Sequence, residues 1–231
     1  MKKVDHAPSK RFVAAKSQVD IKKTYPIEEA VALAKATSTV KFDASIDVHV
    51  KLGINQQKTE QQVRSSVVLP NGTGKSVKIA VVSTNSDQIK AAKAAGADLN
   101  GDTDIINEIK DGKINFNVLV ATPEAMKLLS PVAKVLGPKG LMPNPKDGTF
   151  AANAGEAVAN LKKGKVTYKN DDGGNLHITI GRASFDDVKL AENFRALMES
   201  VNKAKPASAK GTYIKSVTIS TSMGPGIKVS L

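Results

Sequence analysis

The chain contains no cysteine and no tryptophan. Without cysteine there is no disulfide framework, zinc-thiolate site, thiol nucleophile or iron–sulfur ligation, and the absence fits a reducing compartment. Aromatic residues make up only 4% of the chain, which argues against gripping single strands by serial base stacking. No apolar run approaches the roughly 20 residues that a membrane helix needs, so no membrane partner is expected. The start, MKKVDHAPSKR, is basic but has no apolar segment after it, so it does not read as a secretory signal. The expected address is the cytoplasm.

What the chain has in excess is positive charge. Lys and Arg number 34 against 22 Asp and Glu, a net charge of +12. A pI near 9.7 points to a polyanionic partner: nucleic acid, or less often an anionic membrane. The 231 residues allow one large domain or two smaller ones, and a 41% hydrophobic content is enough to bury a core. Split at two Gly-containing breaks, Asn71–Gly74 and Lys162–Gly164, the three segments carry +5, +3 and +4. The two ends therefore hold most of the excess.

Hydropathy patterning separates the same segments. Residues 8–18 read as a short basic helix, and Pro26 opens a second one with Glu28 and Glu29 near its positive end. Residues 45–52 alternate, with Ile46, Val48, Val50 and Leu52 against Asp47, His49 and Lys51, as a half-buried strand does. Residues 62–69 read as a second strand. In the middle, 77–82 and 118–121 are continuously apolar strands. Helices are expected at 87–95, 104–109, 123–136 and 156–163, so the middle predicts a parallel sheet covered on both faces. Alternation then returns. Strands at 165–169 and 176–180 flank the turn Asn170–Gly174, whose Asp-Gly suits a hairpin. A long amphipathic helix over 185–201 has Val188, Leu190, Ala191, Phe194, Leu197 and Met198 on its apolar side. Strands at 213–220 and 227–229 close the chain. The pattern predicts an α+β discontinuous domain, 1–72 plus 165–231, with an inserted α/β Rossmann-like three-layer domain, 73–164.

Most motifs that would carry catalysis fail. Gly74-Lys75-Ser76 resembles the end of a phosphate-binding P-loop, but Leu69 stands where the first Gly is needed and a strand follows instead of a helix. The turn Ser83–Ser86 lacks the glycines of a dinucleotide site. His6, His49 and His177 have no second ligand at metal spacing, and solvated or hydrogen-bonded histidines account for them. Asp171–Asp172 and Asp186–Asp187 are explained by turn and capping chemistry. Two segments survive. Gly137–Gly148 combines three Gly, three Pro and two Lys, the composition of a stiff loop able to approach phosphates or simply of a rigid connection. Ser220–Gly226 offers hydroxyls, open backbone and Met223 after a strand, which suits RNA or an ordinary turn.

The order of these residues resembles the bacterial large-subunit ribosomal protein one family, the L-one family. The similarity lies in Lys41-Phe42-Asp43, Asp47–Leu52, Val63-Arg64, Leu69–Gly72, the loop GPKGLMPNPKDGT, Lys169-Asn170-Asp171 and TSMGP. The resemblance implies a non-enzymatic protein without a cofactor, and as partners the large-subunit rRNA stalk, exit-site tRNA and its own operon mRNA. It implies release of deacylated tRNA, repression of that mRNA, and a monomer off the ribosome. Its RNA-binding residues would be Lys41, Phe42, Ser45, Lys169, Asn170, Asp171, Ser216, Ser222, Met223 and Gly224, with Lys139 and Lys146 as secondary contacts. The basic start, with Lys2, Lys3, Lys10, Arg11 and Lys16, would add nonspecific attraction, and Lys51 and Arg64 are weaker candidates. The alternatives are a generic RNA-binding protein and a cofactor-dependent enzyme built on the α/β domain.

Overall fold

The structure, a computed structural model, describes residues 8–101 and 103–230. Lys2, Lys3 and His6 lie outside the described residues. The chain divides into two compact units. One comprises Met1–Arg64, Leu69–Gly74 and Tyr168–Leu231, the other Ser65–Val68 and Lys75–Thr167.

The first unit begins with α1 (Lys10–Ser17), whose start is capped by the Ser9 hydroxyl accepting from the Phe12 N–H. In α2 (Ile27–Ala36), Pro26 occupies the capping position, Glu28 and Glu29 lie in the first turn and Lys35 in the last. Charges of those signs favour the helix dipole. The strand β1 (Ser45–Leu52) buries every second residue. It lies at the centre of a four-stranded antiparallel sheet with β7 (Asn175–Arg182), β8 (Ile214–Thr221) and β9 (Ile227–Val229), in the order β7-β1-β8-β9. Both α2 and α8 (Asp187–Lys203) pack on this sheet. They cover Ile46, Val48, Val50, Leu176, Ile178, Ile180, Val217 and Ile219, all buried. Burying each such side chain contributes about 1.5–3 kcal/mol. The one fully buried polar residue of α8, Asn193, is satisfied: its amide donates to the carbonyls of Ile180 (2.7 Å) and Gly72 (2.9 Å) and accepts from the Asn71 N–H (3.0 Å).

The second unit holds a parallel sheet in the order β4-β3-β5, from β3 (Ile79–Val82), β4 (Leu99–Gly101) and β5 (Val118–Ala121). Ile79, Val81 and Val120 face Ala92 of α3 (Ser86–Ala94) and Ala157, Val158 and Leu161 of α7 (Ala154–Lys162). Ala80, Val82 and Leu119 face Ile105, Ile106 and Ile109 of α4 (Thr103–Lys110), and Leu129, Val132 and Leu136. The sheet is covered on both sides, which is why its strands read as unbroken apolar runs.

Four expectations need correction. The helix over 123–136 is broken into α5 (Met126–Leu129), a 3-10 turn (Ser130–Val132) and α6 (Ala133–Leu136). Pro131 has no N–H to donate and its ring crowds the preceding turn. The strands at 165–169 and 175–182 do not form a hairpin: β6 (Lys165–Lys169) pairs with β2 (Arg64–Val68), whereas β7 pairs with β1. The apolar face of β7 is matched to that of β1, and this outweighs the turn chemistry between β6 and β7. That same β2–β6 pairing keeps Ser65–Val68 with the inserted unit, so one boundary stays at the first glycine break, after Gly74, while others fall within β2 and, instead of at Lys162–Gly164, within β6. Val188 is 70% exposed and does not belong to the apolar side of α8.

Candidate nucleic-acid interface

Alternation on β1 leaves Ser45, Asp47, His49 and Lys51 on the sheet face opposite the helices. Register places Asn175 and Ser216 beside Lys51, His177 and Thr218 beside His49, and Thr179 and Ser220 beside Asp47. The uncovered face is thus a block of hydroxyl, imidazole, amide and carboxylate groups, with no large apolar side chain.

Hydrogen bonds organise it into two chains. Thr179 donates to Asp47 at 2.6 Å, Ser45 donates to the other Asp47 oxygen at 3.2 Å, and the Ser45 and Ser222 hydroxyls meet at 2.9 Å. The second runs from Ser220 to His49 Nε2 (2.9 Å), between the two Nδ1 atoms of His49 and His177 (2.7 Å), and from His177 Nε2 to Asp171 (3.3 Å). One tautomer set satisfies all three bonds. His49 donates from Nδ1 and accepts the Ser220 proton, and His177 accepts at Nδ1 and donates from Nε2 to Asp171. Both rings are then neutral. Partial burial lowers the His49 pKa first, and the adjacent His177 lowers it further, against an opposing pull from Asp47.

Asp171 has a mainly architectural task. Its carboxylate accepts from the N–H groups of Asn175 (2.6 Å) and Gly173 (2.9 Å) and from the Asn175 amide (3.0 Å). These donors, the Asn175 backbone foremost, hold its carboxyl well below the usual carboxylate range. Its negative charge is thereby spread into the turn. Asn170 is buried, its Oδ1 accepting from the Val63 N–H at 2.8 Å and its amide donating to the Asp171 carbonyl at 3.0 Å. Lys169 and Ser216 are exposed.

At the far end of β8 the turn Thr221–Gly226 is closed by the Gly224 N–H donating to the Thr221 carbonyl at 2.9 Å. The Ser222 N–H donates to the Ser45 carbonyl at 3.0 Å and so docks the turn on β1. Met223, at φ 61°, is the one non-glycine residue with positive φ among the described residues. Such a conformation in a side-chain-bearing residue marks a turn held by its surroundings, and here it lifts the thioether out to 70% exposure. A Cβ at Gly224 would collide with the Thr221 hydroxyl beneath, so glycine is required there. Phe42, 55% exposed, precedes Asp43, whose carboxylate accepts from the Ser184 N–H (3.1 Å) and hydroxyl (2.9 Å). Arg182 donates to the Asp43 carbonyl at 2.9 Å, and the Ala183 N–H donates to the Ala44 carbonyl at 2.8 Å. This clamp leaves Lys41 and Phe42 standing outward.

The structure therefore brings Ser45, Ser222, Met223 and Gly224 together, and places Ser216 and Asp171 on the same face through β8 and the histidine chain. Asp43, Asp47, His49, His177, Thr179, Arg182, Ser184 and Ser220 were not among the expected RNA-binding residues, although Asp43, Asp47 and His49 lie in segments that carry the resemblance and Ser220 opens the Ser220–Gly226 segment. His49 and His177 sit at outward positions of two alternating strands, and that shared parity was the available signal. Lys139 and Lys146 belong to the other unit and are exposed. Their loop is stiffened by Asn144, which accepts from the Lys146 N–H (2.9 Å) and donates its own N–H to the Thr149 hydroxyl (2.9 Å). Among the described residues no group of His, Asp or Glu is arranged to hold a metal ion.

The uncovered face, rich in hydroxyls and amides, suits a polyhydroxylated ligand. Residues 34–225 match the model of the ribosomal protein L1p/L10e family. The chain is 52% identical over 221 residues to the large ribosomal subunit protein uL1 of Laribacter hongkongensis, covering 96% of this chain and 94% of the relative. It is 51% identical to uL1 of Neisseria meningitidis serogroup C strain 053442 over 96% and 95% of the two chains. The identity to uL1 of Methylobacillus flagellatus is 49%, over 96% of each.

Proposed function

The chain belongs to the ribosomal protein L1p/L10e family, and from that premise we propose that it binds rRNA of the mobile stalk of the large subunit through the unit built from its two ends. It is a cytoplasmic constituent of the large ribosomal subunit and not an enzyme. The observation that carries the site assignment is the Ser45–Ser222 hydroxyl pair beneath the positive-φ Met223, with Phe42 exposed three residues upstream.

Recognition works on sugar and phosphate. Ser45, Ser222 and Ser216 exchange hydrogen bonds with 2′-hydroxyls and phosphate oxygens, which distinguishes RNA from DNA. Gly224 lets the RNA backbone come close. Met223 and Phe42 supply apolar contact to ribose edges or an unstacked base. Lys41 and Lys169 neutralise phosphates, and the net charge of +12 speeds the encounter. Lys139 and Lys146 of the inserted unit make secondary contacts. Bound at the stalk, the protein assists release of deacylated tRNA from the exit site. Free and monomeric, it represses its own operon by occupying an mRNA site that resembles the rRNA one.

The test is binding to a stalk-type rRNA fragment against a scrambled duplex at physiological salt. Strong preference for the fragment is expected, and equal, weak binding to both overturns the reading. Repression adds a competition: the leader of the operon mRNA must displace the rRNA fragment, and simultaneous binding of the two rules out a shared site.

A further inference from the structure

Beyond the serine and methionine turn, the same unit carries a basic groove at the opposite end of β8. It measures about 420 Å³ and is lined by Gly53, Ile54, Asn55, Lys58, Gln61, Ser208, Lys210 and Lys215. Three lysines line it and no carboxylate does. None of the three has a carboxylate partner among the described residues, although lysines elsewhere do, Lys35 with Asp187, Lys162 with Asp98 and Lys203 with Glu199 among them.

The groove is built, not a chance gathering of side chains. Lys51 pairs with Ser216 and Leu52 with Ile214, so Lys215 is the extra residue of a β-bulge. A bulge re-aims the side chain of its extra residue. Here the Lys215 stem passes over Gly53, where an added Cβ would come within 3.3 Å of its Cε. Gly53 itself is crowded by the Thr212 carbonyl and donates its N–H to the Tyr213 carbonyl at 2.7 Å. Gln61, nine-tenths buried, ties the walls together: its Oε1 accepts from the Asn55 N–H at 2.7 Å and its amide donates to the Ser208 carbonyl at 3.0 Å. The two loops carrying Lys58 and Lys210 are thereby held at a set separation.

Three exposed lysines lining one concavity without a carboxylate focus positive potential and concentrate anions there. The groove adjoins Ser216, the last hydroxyl of the polar sheet face. We propose that it is a phosphate subsite, holding backbone phosphates of the same RNA after it has crossed the sheet face from the Met223 turn. The inference rests on the RNA-binding reading above. It assigns Lys58, Lys210 and Lys215 to affinity and register, not to sequence discrimination, because phosphate contacts carry no base information.

The test compares the full chain with its Lys58→Gln/Lys210→Gln/Lys215→Gln variant on both the stalk-type fragment and the scrambled duplex, across a salt series. A second variant, Lys90→Gln/Lys93→Gln/Lys110→Gln, makes the same change of net charge in the inserted unit. Thermal melting confirms that all three proteins are folded. At roughly 0.7–0.9 per phosphate contact, the slope of log affinity against log salt should fall by about 2 in the groove variant on both RNAs. The fragment-to-scramble ratio stays unchanged, and the second variant moves the slope less than half as far. An unchanged slope, or equal shifts in the two variants, overturns the groove assignment. Loss of fragment preference in the unaltered protein, with the groove effect intact, instead overturns the specific reading and leaves the phosphate subsite standing.

Discussion

The two units solve the same packing problem in opposite ways. In the inserted unit β3 and β5 are buried on both faces, by α3 and α7 on one side and α4 to α6 on the other. The sheet has no surface to offer, and contacts with a partner are left to loops such as Gly137–Gly148. In the unit built from the chain ends, α2 and α8 cover one face of the β7-β1-β8-β9 sheet and the other stays open. That open face is where hydroxyls, imidazoles and a strained methionine turn collect. A sheet with one uncovered polar side can host an extended ligand along several strands at once, and a doubly covered one cannot.

The largest expected effect tests whether the units are energetically separate. Leu119→Ala, in the inserted core, should cost about 2–5 kcal/mol of that unit's stability, seen as an earlier urea transition. RNA affinity at low temperature should match that of the unaltered protein, and a matching loss of affinity would break the comparison. Next in size, Met223→Ala or Ser222→Ala should each lower affinity for the rRNA fragment by about 1–3 kcal/mol. Titration at physiological salt reads this directly, and two neutral results would remove the turn from the site. Smaller again, Lys139→Ala/Lys146→Ala should weaken both RNAs alike, by under about 1 kcal/mol, as partly screened phosphate contacts do. An effect exceeding that of Met223→Ala would move the principal surface to the inserted unit.

The smallest effect concerns pH. His49 is held below its ordinary value of 6.5, chiefly by burial. The unfolded chain therefore binds a proton more readily than the folded one. The stability tied to neutral His49 is complete above pH 6.5 and declines as pH falls below it. Denaturant midpoints at pH 7.5 and 5.5 should show this decline, and His49→Asn should reduce it. A rise in stability on acidification would mean that the imidazole pair shares an added proton favourably.

How much of this was legible depended on how local the cause was. The strand over Ser45–Leu52 was readable to the residue because alternation is a property of neighbours along the chain. So were the continuous apolar strands of the inserted unit. The short β4 passed unnoticed, since three residues carry too little pattern. Pro131 stands in the chain, yet the helix over 123–136 was expected to run through it. The supposed 165–180 hairpin shows the opposite failure: a turn signal that was locally sound lost to the apolar match between β7 and β1, more than a hundred residues apart. At the site, Phe42 came from a resemblance alone, whereas Ser222 and Met223 already stood out in the Ser220–Gly226 segment for their hydroxyl and thioether. The clamp of Asp43 by Arg182 and Ser184 did not, because it joins segments about 140 residues apart.

The sequence by itself determined the charge, the absence of thiol chemistry, the class of each unit and the faces its strands would bury. These follow from composition and from the periods of strand and helix. Only the tertiary structure decided which outward residues would be neighbours. It set His49 against His177, Ser45 against Ser222, and Lys215 across Gly53 beside Lys58 and Lys210. Strand register and the placement of a bulge depend on how whole faces fit together, and no stretch of chain contains that information alone.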